Sequence, residues 1–200
     1  MQKVNVRRVN EWDAPAMLKI YGPYADAGLC VPESGAPPLA DYISRIDRYT
    51  YGRGWIMCEI DNVPAGICVI TEAARDPENP FVSDIEIYVK PEFQRRRVGT
   101  ALFSLMRDIM QHGNRRGVYA RIFAGNKAAH SFFTSLGFEP VPGGDAAGIP
   151  DEDGKELLFF YRGLAPDQAD AALPTKPYLI ENADYEAARE KAALLVKPAE

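Results

Sequence analysis

The sequence predicts one α/β domain built on a mixed sheet, with a helical appendage at its C-terminal end. Three observations carry that prediction. Runs of β-rich sequence alternate with helical apolar patterns in the order β α α β β β α β α β β, giving about seven strands. Strands joined by a tight turn and strands joined across a helix both occur, so antiparallel and parallel neighbours must share the sheet. With 200 residues, 46% hydrophobic and 26% charged, the composition is that of a globular chain able to bury a real core.

Each element has its own signal. Asn5 to Val9 is a short β-rich run. Asp13 stands where a helix cap belongs, ahead of Ala14 and Pro15, and Met17, Leu18, Ile20 and Tyr21 give that helix its apolar side toward Ala27. A loop follows with Gly28, Pro32, Gly35, Pro37 and Pro38. Leu39, Tyr42, Ile43 and Ile46 then recur at helical spacing to about Tyr49. Trp55 to Ile60, the turn Asp61-Asn62 and Ala65 to Ile70 read as a hairpin. Val82 to Val89 is a strand ended by Pro91. Val98 to His112 is an amphipathic helix with Leu102, Leu105, Met106 and Ile109 on one side and Gly113 as its C-cap. Val118 to Phe123 is a strand, and Asn126 to Leu136 a helix stopped by Gly137. Phe138 to Val141 and Glu156 to Leu164 complete the strands, separated by a Gly-rich acidic loop.

Residues 1–164 thus form the domain, and 165–200 an extension with ten alanines and four prolines. Asn182 is placed to cap a helix from Ala183 to about Val196, with Tyr185, Ala188, Ala192 and Leu195 along one stripe. The extension covers the domain surface, engages a second subunit to make a homodimer, or frays.

Composition also excludes. A net charge of -5 argues against a general nucleic-acid binder. No apolar run approaches the roughly 20 residues of a membrane helix, and the start MQKVNVRRVNEWD has no apolar signal segment. Three cysteines (Cys30, Cys58, Cys68) without metal-like spacing, and only two histidines, argue against a metal centre. The expectation is a reduced, cytoplasmic protein with neither nucleic acid nor membrane as partner.

The segment from Asp84 to Leu102 carries the chemistry. It is a strand, a short basic loop holding one glycine, and then a helix. A helix N-terminus offers unpaired N–H groups and partial positive charge, to which Arg95, Arg96 and Arg97 add, which suits a pyrophosphate. It is not a Walker loop, since no Gly-Lys-Ser/Thr follows, nor a dinucleotide fingerprint, since only one glycine is present. A solvated basic turn is the competing reading. Along the strand, Ile85, Ile87 and Val89 share one face while Asp84, Glu86 and Tyr88 share the other, the two carboxylates about 6.6 Å apart at Cα. A partly buried carboxylate beside an anion loop can act as a general base. The alternatives are a solvent-exposed face, or an arginine pairing each acid.

Gln94-Arg-Arg-Arg-Val-Gly99 with Thr-Ala-Leu, and Asn126-Lys-Ala-Ala-His-Ser-Phe-Phe-Thr-Ser-Leu-Gly-Phe138, together resemble the GNAT superfamily of acetyl-CoA-dependent N-acetyltransferases. The resemblance covers about residues 4–164. Ile20-Tyr-Gly-Pro-Tyr24 and Gly54 to Gly66 are similar to its phosphinothricin and methionine-sulfone branch. This implies a mixed, mostly antiparallel central sheet flanked by helices, and acetyl-CoA as cosubstrate. Main-chain groups at Tyr88 and Val89 would hold the thioester carbonyl and the pantetheine. N–H groups of Gln94, Arg95, Arg96, Arg97, Val98, Gly99 and Thr100 would cradle the pyrophosphate. Asn126 would bind the pantetheine arm, with Phe132 or Phe133 touching it from the core. Asp84 occupies the place of the branch's proposed base, with Glu86 as the alternative.

Two departures matter. Arg97 replaces the family's first glycine, and arginine is expected there with helical φ. Phe133 stands where a tyrosine often protonates the leaving thiolate, so Tyr88, Tyr119 or His130 substitutes, or the thiolate leaves unassisted. The acceptor implied is a primary amine of a small molecule, an amino acid or analogue. Its contacts are expected from the Gly28 to Pro38 loop and the strand edges, with Glu33 either receiving the amine or, as the preferred reading, standing as a solvated loop acid. A protein or peptide amine, a non-catalytic acyl-CoA-binding module and a nucleotide-binding loop are the alternatives.

Overall fold

A computed structural model describes residues 2–30, 35–50, 54–141, 149–150, 156–164 and 182–198, with backbone only at 47–50 and 149–150. The elements are β1 (Val4–Arg8), α1 (Ala14–Asp26), α2 (Leu39–Thr50), β2 (Trp55–Ile60), β3 (Val63–Glu72), β4 (Val82–Val89), α3 (Val98–His112), β5 (Gly117–Phe123), α4 (Lys127–Ser135), β6 (Glu139–Pro140), β7 (Ile149–Pro150), β8 (Glu156–Gly163) and α5 (Asn182–Ala193). The strands follow the order β1-β2-β3-β4-β5-β8-β6, with β7 beside β8. β4–β5 is the parallel pair; the other neighbours are antiparallel. Among the described residues no helix is long and apolar enough to cross a membrane.

Alternation along the central strands sends two sets of side chains to two cores. Ile85 joins Val98, Leu102, Leu105 and Met106 on the α3 side. Tyr88 joins Met17, Ile20, Tyr42, Met57 and Ile67 on the α1 and α2 side. Asp61 and Asn62 both turn left-handed, with φ of 52° and 63°, which gives the hairpin a turn twisted like its strands. At Gly66 a Cβ would lie 2.9 Å from the Tyr88 carbonyl and 3.0 Å from Val98, so β3 needs that glycine to reach β4 and α3 together.

Several expectations are corrected. Asp13 does not cap α1 through its side chain; it closes a capping box with Asn10 around the short turn Glu11–Asp13, and binds Arg7. Gly113 is the C-cap of α3 as expected, but with an ordinary φ of -74°; Asn114 takes the left-handed turn after it, because a short polar side chain tolerates that geometry. The run from Phe138 shortens to β6, Phe138 itself being drawn into the core against Phe103 and Phe133. The Gly-rich loop contributes β7, and the extension's helix stops at Ala193.

Of the fates open to the extension, the described part covers the domain. α5 packs on α3 and β1, burying Tyr185, Ala188, Ala192 and Val196, with Leu195 partly buried against the same core. The Arg8 N–H donates to the Tyr185 hydroxyl at 2.8 Å, the Arg8 guanidinium lies 4.3 Å over that ring, and Lys191 pairs with Asp108 at 3.1 Å.

Candidate active site

The β4–β5 ladder pairs only Val82, Ser83 and Asp84 with Gly117, Val118 and Tyr119. Beyond Asp84 the two strands part, and β4 runs on beside β3 alone. The Lys90 N–H donates to the Ala65 carbonyl at 2.9 Å, which fixes the alternation of the antiparallel ladder. Tyr88 and Glu86 therefore turn their main-chain groups to β3, whereas Ile87 and Val89 turn theirs to the parting. The main-chain groups of Tyr88, expected to hold the thioester and the pantetheine, are bonded into β3, and those of Ile87 face the opening. The Val89 carbonyl already accepts from the Tyr24 hydroxyl, and from Gln94 Nε2 at 3.4 Å.

Asp84, Glu86 and Tyr88 lie on the α1 side as the alternation predicts, and one arginine holds both acids. Arg121 Nε is 2.9 Å from Asp84 Oδ2, and its Nη2 is 3.6 Å from Glu86 Oε1. Had the parallel ladder continued two residues, Arg121 would face Glu86 across it. The acids differ in access. The Asp84 side chain is 2% exposed and the Glu86 side chain 24%. Burial pushes the Asp84 carboxyl above its ordinary range, against the Arg121 charge and the Ala74 N–H bonded to it at 3.2 Å. Its Oδ1 is buried with no hydrogen-bond partner among the described residues. Glu86 accepts from the Tyr88 hydroxyl at 2.8 Å. Burial, then the neighbouring Glu86 charge, raises the Tyr88 phenol well above its ordinary value, so it stays a donor.

The anion loop is built from backbone strain. Arg95 and Arg97 have φ of 61° and 60°, and Arg97 is the residue that caps α3. The helical φ expected of Arg97 is thus overturned: the arginine adopts the left-handed turn that glycine would make freely. Left-handed residues interleaved with ordinary ones aim successive N–H groups into a concavity for anions. Gln94 does not take part through its N–H, which donates to the Pro91 carbonyl at 3.2 Å, while its amide reaches the Tyr24 hydroxyl at 3.1 Å. The stretch from Arg95 through Arg96, Arg97, Val98 and Gly99 to Thr100 is what is left as the candidate for the expected pyrophosphate cradle. Val98 contributes backbone only, its side chain being core. Gly99 lets the Phe132 ring come close, since a Cβ there would lie 2.8 Å from the ring and would push it aside. Arg96 points its guanidinium elsewhere, to Gln2 and Lys197.

On α4, the Asn126 Oδ1 caps the helix by accepting from the Ala129 N–H at 3.1 Å, leaving its amide donors for another partner. Phe133 is buried between Phe132 and Phe138, so the expectation that it lines the cofactor is not what its packing shows; Phe132, half-buried against Gly99, is the ring at the loop. His130, half-buried, lies edge-on to the core residue Phe160, with 5.1 Å between ring centres. Tyr119 sits opposite Asp84 in the ladder and packs on Tyr161 at 4.9 Å. Glu33 lies outside the described residues.

The model of the Acetyltransferase (GNAT) family matches residues 15–138, more than half of the sequence. The chain belongs to this family. An uncharacterized N-acetyltransferase of Methanocaldococcus jannaschii is 33% identical over 88 residues, 43% of this chain and 39% of the relative, so the match spans well under half of that protein. GNAT structures share the fold. Salmonella typhimurium yncA, solved with its cofactor acetyl-CoA, superposes with a TM-score of 0.73 at 18% identity, covering 86% of this chain and 98% of that one. A GNAT phosphinothricin acetyltransferase of Sinorhizobium meliloti, in complex with acetyl-CoA, gives 0.72 at 20% identity over 90% and 96%. The ribosomal-protein-alanine N-acetyltransferase of Brucella melitensis gives 0.68 at 20% identity over 79% and 98%. The mixed, mostly antiparallel sheet flanked by helices is therefore the GNAT architecture.

Arg121 and Tyr24 were missed in the sequence. Arg121 had a signal: a lone charge in the apolar strand Val118 to Phe123, which follows the acid-bearing strand through one crossover helix. Tyr24 had none beyond its place in a short resemblance.

Proposed function

We propose that this GNAT chain transfers the acetyl group of acetyl-CoA to the primary amine of a small molecule, an amino acid or analogue, with Glu86 as general base. The observation that carries the reading is the position of Glu86: a half-buried carboxylate on the parted end of β4, aimed by Tyr88 and Arg121. Acetyl-CoA supplies an acetyl group already activated as a thioester. The concavity from Arg95 to Thr100 fits its pyrophosphate; the Ile87 main-chain groups, the Val89 N–H and the Asn126 amide would hold the arm. An amine that arrives as ammonium has no lone pair to attack with until a base takes its proton. Glu86 accepts that proton. Asp84, sealed behind Arg121, is a positioning group that keeps the guanidinium beside Glu86. α1 crowds this end of β4, with the Tyr24 and Tyr21 rings 5.3 Å and 5.0 Å from Tyr88, which favours a compact acceptor.

The test is Glu86→Gln, assayed by thiol release across a panel of small amines and short peptides. The expected result is a loss of about 10²- to 10⁴-fold in kcat with acetyl-CoA affinity unchanged. Full activity in the variant would place the base elsewhere. Tight acetyl-CoA binding without turnover on any amine would make the protein a binding module.

A further inference from the structure

Arg96 is the residue between the two left-handed arginines, and it is gripped from two distant parts of the chain. Its carbonyl accepts from the Lys197 N–H at 2.9 Å, its Nε donates to the Lys197 carbonyl at 3.2 Å, and its Nη2 donates to Gln2 Oε1 at 2.7 Å. The guanidinium also lies 5.4 Å over the Phe93 ring. The segment that does the gripping is itself anchored, since Val196 and α5 are buried against the domain. Left-handed non-glycine residues persist only where their surroundings enforce them.

We infer that Arg96 is a positioning residue, and that Lys197 and Gln2 hold it so that the turns at Arg95 and Arg97 stay set for the pyrophosphate before it arrives. The inference rests on the acetyl-CoA reading above and is independent of the acceptor. Its content is preorganisation: a loop already held in its binding conformation loses less freedom on binding. Lys197 takes part through its main-chain N–H and carbonyl alone, so the lysine's own charge has no part in the grip.

That distinction makes the test. Lys197→Pro removes the N–H that reaches Arg96, whereas Lys197→Ala keeps it. Arg96→Lys keeps the charge and loses the guanidinium fork. Acetyl-CoA binding by calorimetry should weaken about 3- to 10-fold in Lys197→Pro, the loss of one hydrogen bond, and at least as much in Arg96→Lys, which gives up both guanidinium bonds. KM for acetyl-CoA should rise by the same factor while kcat at saturation is unchanged. Lys197→Ala should bind as the wild type. Equal weakening in Lys197→Ala and Lys197→Pro would overturn the inference in favour of simple charge attraction. Wild-type affinity in Arg96→Lys would also overturn it, and that variant decides alone if Lys197→Pro does not fold. A wild-type protein that binds no acetyl-CoA defeats the cosubstrate reading; a wild-type protein that binds, with all variants unchanged, defeats this inference only.

Discussion

Replacing Arg121 by methionine should destabilise the protein through Asp84. The Asp84 side chain is 2% exposed and its ion pair to Arg121 measures 2.9 Å. With charge centres about 4 Å apart and an effective dielectric near 20, the attraction is about 4 kcal/mol. Stranding a buried charge costs about 3–5 kcal/mol, which agrees. Arg121→Met should therefore lose about that much stability in urea denaturation near pH 7.5. Adding Asp84→Asn to it should return at least half, because the charge left alone is gone. The pH dependence has a definite sign. Burial already raises the Asp84 carboxyl above its ordinary value of 3.8, and losing Arg121 raises it further. The native variant then binds a proton that the unfolded chain does not, so acidification through that raised value relieves it. The gap between variant and wild type should narrow as pH falls toward the ordinary carboxylate range. A double variant no more stable than Arg121→Met, or a gap that is constant with pH, would refute the argument.

Three further outcomes are expected. Gly66→Ala should lose about 1–3 kcal/mol by urea denaturation, because the new Cβ meets the Tyr88 carbonyl and Val98 at once and cannot move away from both. Tyr185→Phe should lower stability by about 1 kcal/mol through the Arg8 N–H it leaves unbonded, while α5 stays folded by circular dichroism. Arg7 binds Asp13 and Glu59, both at 2.8 Å. Burial pushes Asp13 up but its bonds to Arg7 and the Asn10 N–H prevail, and Arg7 lowers Glu59, so both carboxyls sit below their ordinary values of 3.8 and 4.5. Their contribution is complete above those values and is lost as pH falls through and below them. An Arg7→Met protein should accordingly show a flatter stability profile below about pH 4.5 than the wild type.

Local pattern and distant contact separate what the sequence revealed from what it hid. Element order and the long helices were legible because period and punctuation are local: α3 begins and ends where its apolar spacing does, and Gly137, with φ of 81°, stops α4 as a glycine can. The alternation of Asp84, Glu86 and Tyr88 is equally local. The partner that decides between the two acids is not, because parallel pairing brings Arg121 from beyond a helix. Nor can the neighbours of one residue be read from its type. Arg96 and Arg97 look alike in the basic run, yet one is held by the extension and the other bends the chain. Phe132 and Phe133 differ only in which side of α4 they occupy, and the close approach to Gly99 settles it. Asp13, a good cap by type, is claimed instead by Arg7 six residues earlier and by the Asn10 N–H.

The parted strands have a consequence for the exchange of amide protons. Along β4, the N–H groups of Glu86 and Tyr88 are bonded into β3, whereas those of Ile87 and Val89 look into the gap that opens after Asp84. Protection against deuterium should therefore alternate residue by residue within a single strand, slow at Glu86, fast at Ile87, slow at Tyr88, fast at Val89. A strand flanked on both sides would show a uniform block instead. The fast pair marks the length of edge open to a guest, and a guest that pairs with it would turn the alternation into that uniform block.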